Sequence, residues 1–595
     1  MIGLIAATAA GRRAADRLAA ALGDCRVYQE VTVADSVRLA WTECEQLVCF
    51  LATGATVRLV APLLADKHTD PGVVCVDEAG RFAVALVGGH DRAGDTAGGA
   101  NALAERVAEV LEAQPVVTTA TDAVGVPGLD TLGWPVTGAV AAVGRAVLDG
   151  SPVDLVADAV HPLPALPGNV RSHAPTDAPA ATVYVSDRSA PWAPPGAAEP
   201  DAQPAAGPWV VLHPRTLVVG VGASRGVSAA EVLDLVEAAL VDAGLSPHSL
   251  SCLASVDAKA DEPGLVEAAR TLGVELVTFT AEALAAVPVP NPSAAPLAAV
   301  GTPSVAEAAA LVAADGGELL VPKRKSAPEG RAAMCTVAVA RRAVRGRLAV
   351  VGLGPGSRDL LTPRARAELR RASVVVGLDQ YLDQIRDLLR PGTRIEASGL
   401  GAEEERARSA VRLAEQGLAV ALIGSGDAGV YAMASPALAE AGAGIDVVGV
   451  PGVTAALAAS SLLGAPLGHD HVSISLSDLH TPWEVIERRV RAAASADLVV
   501  TFYNPRSRGR DWQLPKALAL LSEHRDPATT PVGVAHSVSR PDEWHTVTTL
   551  AEVDVTTVDM TTVVVVGNTA SRSVAGRMVT PRGYRWQERG SQCSQ

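Results

Sequence analysis

Aromatic side chains are scarce in this sequence: phenylalanine, tryptophan and tyrosine together make up 3% of its 595 residues. We therefore expect hydrophobic cores built from valine, leucine and alanine, since apolar residues as a whole reach 48%. Charged residues are also few, at 19%, and the composition excludes wholesale disorder. One core does not normally organise a chain of this length, so we predict about three or four domains.

An excess of basic charge is absent. The formal net charge is −15, which repels nucleic-acid phosphates, although an acidic protein can still present a basic pocket to an acidic small molecule. No apolar run is long enough to cross a bilayer, so we expect no membrane partner. The first residues, MIGLIAATAAGRR, place their arginines after the apolar run, which favours a strand and a helix over a signal peptide.

Paired cysteines are absent as well. None of the seven cysteines forms a CxxC pair, and their number is odd. This pattern is typical of reduced thiols in a cytoplasmic protein, and we expect no metal site. The cysteines are Cys25, Cys44, Cys49, Cys75, Cys252, Cys335 and Cys593.

Common nucleotide-binding motifs are also missing. The segment VGLGPGSRDLLT (351–362) carries Gly352, Gly354 and Gly356 after an apolar run. No GK[ST] follows it, and the third glycine is one residue too early for a dinucleotide fingerprint. Pro355 removes an N–H group that a phosphate cradle would use. The loop therefore favours a ligand without phosphates, and the alternative is a tight turn that binds nothing.

What is present is an alternation of short apolar runs with helical periods, which predicts largely parallel sheets covered by helices. Ser228 is the predicted N-cap of one helix, with Glu231 completing a capping box. Residues 187–209, rich in proline and alanine, and the short basic segment 340–347 are predicted linkers. The predicted strands are 46–52, 72–78, 81–89 and 216–224, and the predicted helices are 98–113 and 228–244.

In the last part of the chain, glycines and polar residues follow several predicted strands. These strands end at residues 424–427, at Pro451 and Gly452, and at Tyr503 and Asn504. We expect the strand ends to build a cleft at the carboxyl edge of a parallel sheet, where ligands bind.

Five ordered motifs in residues 346–585 resemble the precorrin/tetrapyrrole methyltransferases, and they match the precorrin-3B C17-methyltransferase branch best. They are VGLGPGSRDLLT, GSGDAGVYAMASP, VPGVTAALAASSLLGAPLGHD, SISLSDLHTPWEVI and TFYNPRSR. The resemblance implies the two-lobed α/β fold of class III methyltransferases, S-adenosylmethionine as methyl donor, a tetrapyrrole substrate and a homodimer. It also implies a donor site lined by Gly354, Pro355, Gly356, Gly426, Asp427, Val430, Tyr431, Thr454, Tyr503, Asn504 and Thr562.

The carboxylate-rich macrocycle implied by this resemblance needs cationic partners. The candidates are arginines and a lysine after the Tyr503 strand, and the alternative for each is an ordinary solvated side chain. His536 is either a proton shuttle or a buried structural histidine. The substrate-binding candidates are Arg506, Arg508 and Lys516, with Arg510 and Arg540 as further candidates.

Residues 50–104 and 218–326 resemble the N-terminal and C-terminal parts of cobalt-precorrin-5A hydrolase. The chain departs from that family where DRAGDTA (91–97) lengthens the segment between His90 and the GGAN motif. The implied fold is a multidomain α/β protein, in which parallel-sheet hydrolase domains precede the methyltransferase. The domains we expect are 1–130 and 211–340 for the hydrolase, 131–210 for a middle region with the Pro-rich linker, and 346–585 for the methyltransferase.

Such a hydrolase opens a δ-lactone on the macrocycle and releases acetaldehyde, so it needs a base and an oxyanion site. No GxSxG or HExxH motif appears, which argues against a serine esterase and a zinc hydrolase. Loop capping and solvation are the alternative for every polar cluster. The catalytic candidates are His90 and Asp91, then Lys259 and Glu262 near Asp257, then Lys67 and Asp70, with Gly98, Gly99 and Asn101 as oxyanion donors.

Together the two resemblances predict a bifunctional enzyme of corrin synthesis. One half would methylate C17 and contract the ring of precorrin-3B or its cobalt equivalent, and the other would open the lactone. The alternatives are a nucleotide-dependent Rossmann oxidoreductase and a tetrapyrrole carrier without catalytic activity.

Overall fold

The computed structural model describes residues 1–66, 69–88, 99–117, 126–172, 179–191, 207–328, 330–507 and 509–583. The chain divides into two compact units. The first comprises Met1–Val160, Leu166–Val344 and Arg390–Gly392, and the second comprises His161–Ala165, Arg345–Leu389 and Thr393–Gln595. Among the helices described, none has the length and apolar character needed to span a membrane.

The first sheet of the first unit has the strand order β2-β1-β3-β4-β5-β6. Its elements are β1 (Ile2–Ala6), α1 (Ala9–Leu22), β2 (Cys25–Tyr28), α2 (Val33–Glu43), β3 (Gln46–Phe50), α3 (Thr53–Val60), β4 (Gly72–Val76), β5 (Phe82–Val87), α4 (Ala100–Leu111) and β6 (Gln114–Val116). The strands β1 to β4 are parallel, whereas β5 is antiparallel to β4. The three strands and the helix predicted here are confirmed.

A second sheet lies in the region that we interpreted as a middle region and linker. Its elements are β7 (Val136–Gly138), α5 (Val140–Leu148), β8 (Val153–Ala157), β9 (Val170–Arg171), β10 (Ala181–Val185) and β11 (Trp209–Leu212), with the strand order β7-β11-β10-β8-β9. The predicted linker therefore ends where β11 begins, and residues 192–206 of that linker are outside the described residues.

The third sheet completes the first unit, with the order β14-β13-β12-β16-β15. Its elements are β12 (Leu217–Ala223), α6 (Ala229–Asp242), β13 (Leu250–Val256), α7 (Pro263–Leu272), β14 (Glu275–Phe279), α8 (Ala281–Ala285), α9 (Ala294–Val300), α10 (Ala306–Ala313), β15 (Glu318–Lys325) and β16 (Cys335–Arg341). The strands β12 to β14 are parallel, but β15 and β16 are antiparallel, so the expectation of a parallel sheet holds for only part of it.

The helix α6 confirms one half of the predicted capping box. Ser228 is the N-cap, and its hydroxyl accepts a hydrogen bond of 3.2 Å from Glu231 N. The Glu231 carboxylate does not make the reciprocal bond. It accepts from Ser326 Oγ and from Met334 N instead, because β15 and β16 bring these donors to the start of α6.

The first lobe of the second unit is an entirely parallel sheet with the order β19-β18-β20-β17-β21. Its elements are β17 (Arg347–Gly352), α11 (Pro363–Arg371), β18 (Val374–Leu378), α12 (Asp379–Asp383), β19 (Arg394–Ser398), α13 (Glu403–Glu415), β20 (Ala419–Gly424), α14 (Ala434–Glu440) and β21 (Asp446–Val450). The predicted linker 340–347 is wrong at both ends, because β16 continues to Arg341 and β17 begins at Arg347.

The second lobe is a mixed sheet with the order β23-β24-β27-β25-β26. Its elements and those of a small adjoining sheet are α15 (Ala455–Leu463), β22 (Gly464–Ala465), β23 (His471–Ser475), α16 (Trp483–Ser495), β24 (Val499–Tyr503), α17 (Gln513–Ser522), β25 (Pro531–His536), β26 (Trp544–Thr549), β27 (Thr562–Val566), β28 (Arg572–Val574) and β29 (Arg577–Val579). Only β23 and β24 pair in parallel within the five-stranded sheet. The Tyr503 strand therefore belongs to this lobe and not to the parallel sheet that we expected it to share with β17, β20 and β21.

The hydrophobic cores contain few aromatic residues, as the composition predicts. Phe50 and Phe502 are the aromatic residues among the largest fully buried side chains, and the remainder of that group are leucines and one isoleucine. Two apolar layers cover the first-lobe sheet, one on each face, and valine and alanine from alternate positions of its strands fill both. These packed sheets hold the strand ends that form the site.

Candidate functional site

Three glycine-rich strand ends of the first lobe meet without side chains between them. Gly354 and Gly426 exchange two backbone hydrogen bonds, of 3.0 and 2.8 Å. A Cβ atom on Gly452 would lie 2.0 Å from Gly426 O, and one on Gly352 would lie 2.7 Å from the same oxygen. Only glycine permits contacts this close, so the loops after β17, β20 and β21 form one continuous backbone floor.

Asp427 fixes two of these loops. Its Oδ1 atom accepts a hydrogen bond of 2.8 Å from Gly429 N, and Oδ2 accepts one of 2.9 Å from Gly452 N. Both carboxylate oxygens are thus used within the floor. The contribution of Asp427 in this structure is to hold the loops in register.

Four glycine N–H groups of this floor are used internally. Those of Gly354, Gly426, Gly429 and Gly452 donate to partners within the three loops. A phosphate cradle needs several N–H groups directed at the ligand. The bonding pattern therefore fits a ligand without phosphates and does not fit a dinucleotide site.

The second lobe brings Tyr503 against this floor. Its hydroxyl lies 2.5 Å from Thr454 Oγ1 and accepts a hydrogen bond of 3.0 Å from Ala456 N. Ala456 belongs to the first turn of α15, whose N–H groups lack intrahelical partners. Tyr503 therefore acts as a side-chain cap delivered from the other lobe. Asn504 follows it with a positive φ of 48°, and its Nδ2 atom donates to Ser475 Oγ at 3.2 Å.

Tyr431 spans the two lobes in the opposite direction. Its hydroxyl donates to Ser473 O on β23 at 2.8 Å, and its ring centroid lies 5.2 Å from that of Tyr503. Partial burial raises the pKa of its phenol, so the hydroxyl stays a donor at neutral pH. The residue is nevertheless 54% exposed and has a φ of 52°. An exposed aromatic face in a strained backbone conformation marks this loop as a candidate ligand contact.

Arg540 joins the loop after β25 to the glycine floor. Its Nε atom donates to Pro355 O at 3.0 Å, and its Nη2 atom lies 3.4 Å from Ser425 Oγ. Ser539, in the same loop, accepts from Ser357 N at 3.0 Å and has a φ of 62°. Sequence reasoning named Arg540 only as a possible substrate contact, and it missed Ser425 and Ser539, because no local pattern announces a contact between residues more than 100 positions apart.

His536 lies between two carboxylates. Its Nε2 atom is 3.4 Å from Asp542 Oδ2, and its Nδ1 atom is 3.4 Å from Asp559 Oδ1 and 3.2 Å from Thr562 Oγ1. The ring stacks on Trp544 at 5.4 Å. Both ring nitrogens face partners in the second lobe, which fits the structural alternative for this histidine. Thr562 itself is buried and bonds to Asp559 Oδ1 at 2.9 Å.

The expected substrate cations are held by other groups. Arg506 Nη1 donates to the carbonyl oxygens of Val555 and Thr556 at 3.1 and 3.0 Å. Lys516 Nζ lies 3.2 Å from a Glu487 carboxylate oxygen. Of the remaining candidates, Arg510 donates to the carbonyl oxygens of Leu476 and Asn504, and Arg508 is outside the described residues.

The remaining residues of the predicted donor site belong to the same floor. Val430 N donates to Asp427 O at 3.2 Å, which closes the turn that carries Tyr431. On the opposite side, a Cβ atom on Gly356 would lie 2.7 Å from Arg540 Cγ. The predicted donor-site residues are thus brought together around the three loops, with two exceptions: the Asn504 side chain bonds to Ser475, and Thr562 lies in the His536 cluster.

In the first unit, Lys259 and Glu262 form a buried pair beyond the end of β13. Lys259 Nζ lies 2.7 Å from Glu262 Oε2, and Glu262 Oε1 accepts from Gly226 N at 2.7 Å. The Lys259 hydrogen bond is the main cause that lowers the pKa of the Glu262 carboxyl. The pair connects the loops after β12 and β13. In this structure both residues therefore stabilise the position of these loops.

The other hydrolase candidates lie in the first sheet. Asp70 is buried, and its two carboxylate oxygens accept from Ala65 N at 3.2 and 3.0 Å. Asn101 is buried in the first turn of α4. The candidates Lys67, His90, Asp91 and Gly98 are outside the described residues. Within the described part of the chain, no group of three or more His, Cys, Asp or Glu residues is arranged to hold a metal ion.

Comparison with known families divides the chain as the two units suggest. Residues 347–554 match the tetrapyrrole (corrin/porphyrin) methylases. Residues 35–122 match the N-terminal model of cobalamin synthesis G, and residues 217–340 match its C-terminal model.

Individual relatives extend this result. A probable cobalt-factor III C(17)-methyltransferase of Salmonella typhimurium is 46% identical over 240 residues, which are 40% of this chain and 99% of that protein. The cobalamin biosynthesis protein CobIJ of Mycobacterium tuberculosis is 44% identical over 286 residues, or 46% of this chain and 54% of that protein. The crystal structure of the methyltransferase CobJ aligns with 40% of this chain and 100% of its own, at 39% identity and a TM-score of 0.38.

Proposed function

Because this chain belongs to the tetrapyrrole methylase family and also carries both cobalamin synthesis G domains, we propose that it is a bifunctional enzyme of cobalamin biosynthesis. The second unit is a methyltransferase that uses S-adenosylmethionine to methylate C17 of precorrin-3B or its cobalt equivalent, with contraction of the ring. The first unit hydrolyses the lactone of cobalt-precorrin-5A and releases acetaldehyde.

The interlocked glycine floor is the observation that carries the methyltransferase proposal. The N–H groups of Gly354, Gly426, Gly429 and Gly452 are bonded within the three loops, so these four are not free to bind a phosphate. A phosphate-free donor such as S-adenosylmethionine is compatible with this surface. A Rossmann oxidoreductase is not, because a nicotinamide dinucleotide needs free N–H groups at its pyrophosphate.

The residues around the floor suit the donor's chemistry. When bound, S-adenosylmethionine supplies a methyl group on a positively charged sulfur. The exposed face of Tyr431 and the ring of Tyr503 offer π surface to the adenine or to the sulfonium. Asp427 and Arg540 hold the loops beneath them, so that the chain's contribution is alignment of the reactants and exclusion of water.

The substrate and assembly follow from the same assignment. An acidic tetrapyrrole binds in the cleft between the two lobes, and its carboxylates meet the arginines at the edge of the second lobe. Arg506 and Arg510 already donate to backbone carbonyl oxygens, so each can offer its remaining N–H groups to a carboxylate. The enzyme acts in the cytoplasm as a homodimer formed through its methyltransferase half.

The test uses the full chain with S-adenosylmethionine and cobalt-factor III, followed by mass measurement of the corrinoid. We expect the gain of one methyl group by the wild type, and a loss of at least tenfold in rate for Asp427→Ala, because the loops of the floor lose two hydrogen bonds. Asp383→Ala is a control, since Asp383 is an exposed carboxylate that contacts only Arg386 in the described residues. Failure of the wild type to transfer a methyl group, or full activity of Asp427→Ala, contradicts the proposal.

A further inference from the structure

The side-chain nitrogen of one buried amide on α4 has no hydrogen-bond partner among the described residues. Asn101 is 5% exposed, and its Nδ2 atom makes no hydrogen bond within the described part of the chain. Proteins rarely leave a buried donor unpaired, because its lost hydration destabilises the folded state. A donor that is kept despite this penalty points to a partner that the described residues do not supply.

The backbone around Asn101 adds further donors at the same place. Asn101 lies in the first turn of α4, a helix of 12 residues. The N–H groups of a first turn have no intrahelical acceptor, and the helix dipole makes this end favourable for negative charge. Ala100 N is already used, because it donates to Gly88 O at 2.7 Å.

The start of α4 is held rigidly against the sheet. A Cβ atom on Gly72, the first residue of β4, would lie 3.1 Å from Ala100 N, and one on Gly88 would lie 3.0 Å from Gly72 Cα. The backbone segments at Gly72, Gly88 and Ala100 are therefore in contact at the first turn of α4. Rigid, preorganised donors of this kind stabilise a charge that develops during a reaction.

We propose that Asn101 Nδ2 and the main-chain N–H groups of Asn101 and Ala102 form the oxyanion-binding site for opening of the lactone. The inference rests on the hydrolase function proposed above. The ligand atom is the carbonyl oxygen of a cyclic ester, which is an acceptor in the substrate and becomes negatively charged in the tetrahedral intermediate.

The hydrolysis balances around this site. Water adds to the lactone carbonyl carbon and loses one proton to solvent, while the carbonyl π electrons move to the oxygen that Asn101 stabilises. The electron pair then returns to re-form the carbonyl, and the ring C–O bond breaks. The departing ring oxygen takes up a proton, which leaves a carboxylic acid and a hydroxyl group.

The experiment uses the full chain and cobalt-precorrin-5A, with the hydrolysed corrinoid measured by mass. Asn101→Leu removes the donor with little change in volume, and Asn101→Asp replaces it by an acceptor. We expect kcat to fall about 100-fold or more in both variants while KM changes only a few-fold, because the donor acts on the transition state. Methyl transfer by the same preparations should stay at the wild-type rate, which shows that the second unit is folded.

Thermal unfolding separates a catalytic from a structural role. Asn101→Leu should leave the melting temperature unchanged or raise it, because it removes an unpaired buried donor. The matched control is Asn169→Leu: Asn169 Nδ2 donates to Val147 O at 3.1 Å and to Ser151 O at 2.8 Å, so this variant should melt at a lower temperature with kcat preserved.

Each failure has a distinct meaning. A wild-type chain that leaves the lactone intact overturns the hydrolase function and this inference with it. A wild-type chain that opens the lactone, together with Asn101 variants whose kcat stays within threefold, overturns the inference alone. A melting temperature that Asn101→Leu lowers as much as Asn169→Leu does also overturns it, because Asn101 is then a structural residue.

Discussion

Gly354 and Gly426 exchange a pair of backbone hydrogen bonds at the carboxyl ends of two adjacent parallel strands, and Gly452 packs against the same pair. The three residues come from different loops, so their contacts fix the positions of the ends of β17, β20 and β21 relative to one another. The proposed methyl-donor surface thus depends on backbone contacts that no side chain can replace.

Substitution of Gly452 tests this dependence. In Gly452→Ala the new Cβ would lie 2.0 Å from Gly426 O, so the loops must separate. We expect the affinity for S-adenosylmethionine to fall at least tenfold, as measured by calorimetry. Gly449→Ala is the matched control, because Gly449 lies on β21, the strand that leads to Gly452, and a Cβ there meets nothing within 4 Å. Equal affinities of the two variants would contradict the role of the floor.

Removal of the Tyr503 hydroxyl tests the cap on α15. Tyr503→Phe keeps the ring but loses the hydrogen bonds to Thr454 Oγ1 and Ala456 N, so we expect a loss of about 1 kcal/mol in stability and weaker donor binding. Thermal unfolding and calorimetry measure the two effects. Tyr431→Phe loses one bond to a carbonyl from a more exposed hydroxyl, and it should be the milder variant in unfolding. The reverse order would show that the cap is unimportant.

The buried side chain of His213 should make the stability of the first unit fall at acidic pH. Burial lowers its pKa from 6.5 to about 4, with a further contribution from His248, whose ring lies 5.2 Å away, while Asp187 acts in the opposite direction. In the unfolded chain His213 therefore takes up a proton as the pH falls through 6.5, whereas in the folded chain it stays neutral until about pH 4. Stability is unaffected above pH 6.5 and falls between that pH and about 4, by roughly 3 kcal/mol.

The measurement is the pH dependence of unfolding for the wild type and His213→Gln. The glutamine can still bond to Thr137 Oγ1, which lies 2.9 Å from His213 Nε2, but it does not titrate. We expect a flatter pH profile for the variant below pH 6.5. Parallel profiles would show that folding does not lower the pKa of His213.

The pair of Asp187 and Arg341 predicts a strong link between the second and third sheets. Asp187 is buried, and its carboxylate accepts from Arg341 Nε at 2.6 Å, from Arg341 Nη2 at 2.8 Å and from Thr216 Oγ1 at 2.8 Å. Asp187→Asn should lower stability by about 2 kcal/mol in chemical denaturation. Asp242→Asn, which breaks an exposed pair with Arg324, should cost less than about 0.5 kcal/mol. Similar costs would refute the link.

The sequence predicted local elements well where periodicity and capping were strong. The run Gln46–Phe50 is fully buried and apolar apart from its first residue, and Ser228 is a preferred N-cap, so both could be recognised from their neighbours alone. Strand direction was not visible in this way. An apolar run such as Thr562–Val566 has the same pattern in a parallel or an antiparallel sheet, and the mixed second lobe was therefore missed.

The candidate site was predicted as a set of residues but not as a set of contacts. Glycines after strands indicated the floor, because close backbone approach needs glycine. The bond from Arg540 to Pro355 and the capping of α15 by Tyr503 depend on packing between lobes, to which sequence spacing gives no access. For the same reason Glu231 was assigned to a reciprocal cap and is bonded to Ser326 and Met334 instead.

The floor made by Gly352, Gly426 and Gly452 has a consequence for how this enzyme can diversify. Main-chain atoms have no rotamers, so this surface cannot adapt to a new ligand by side-chain repacking. Variation in ligand range must then arise from the side chains around the floor, such as those of Tyr431 and Arg540.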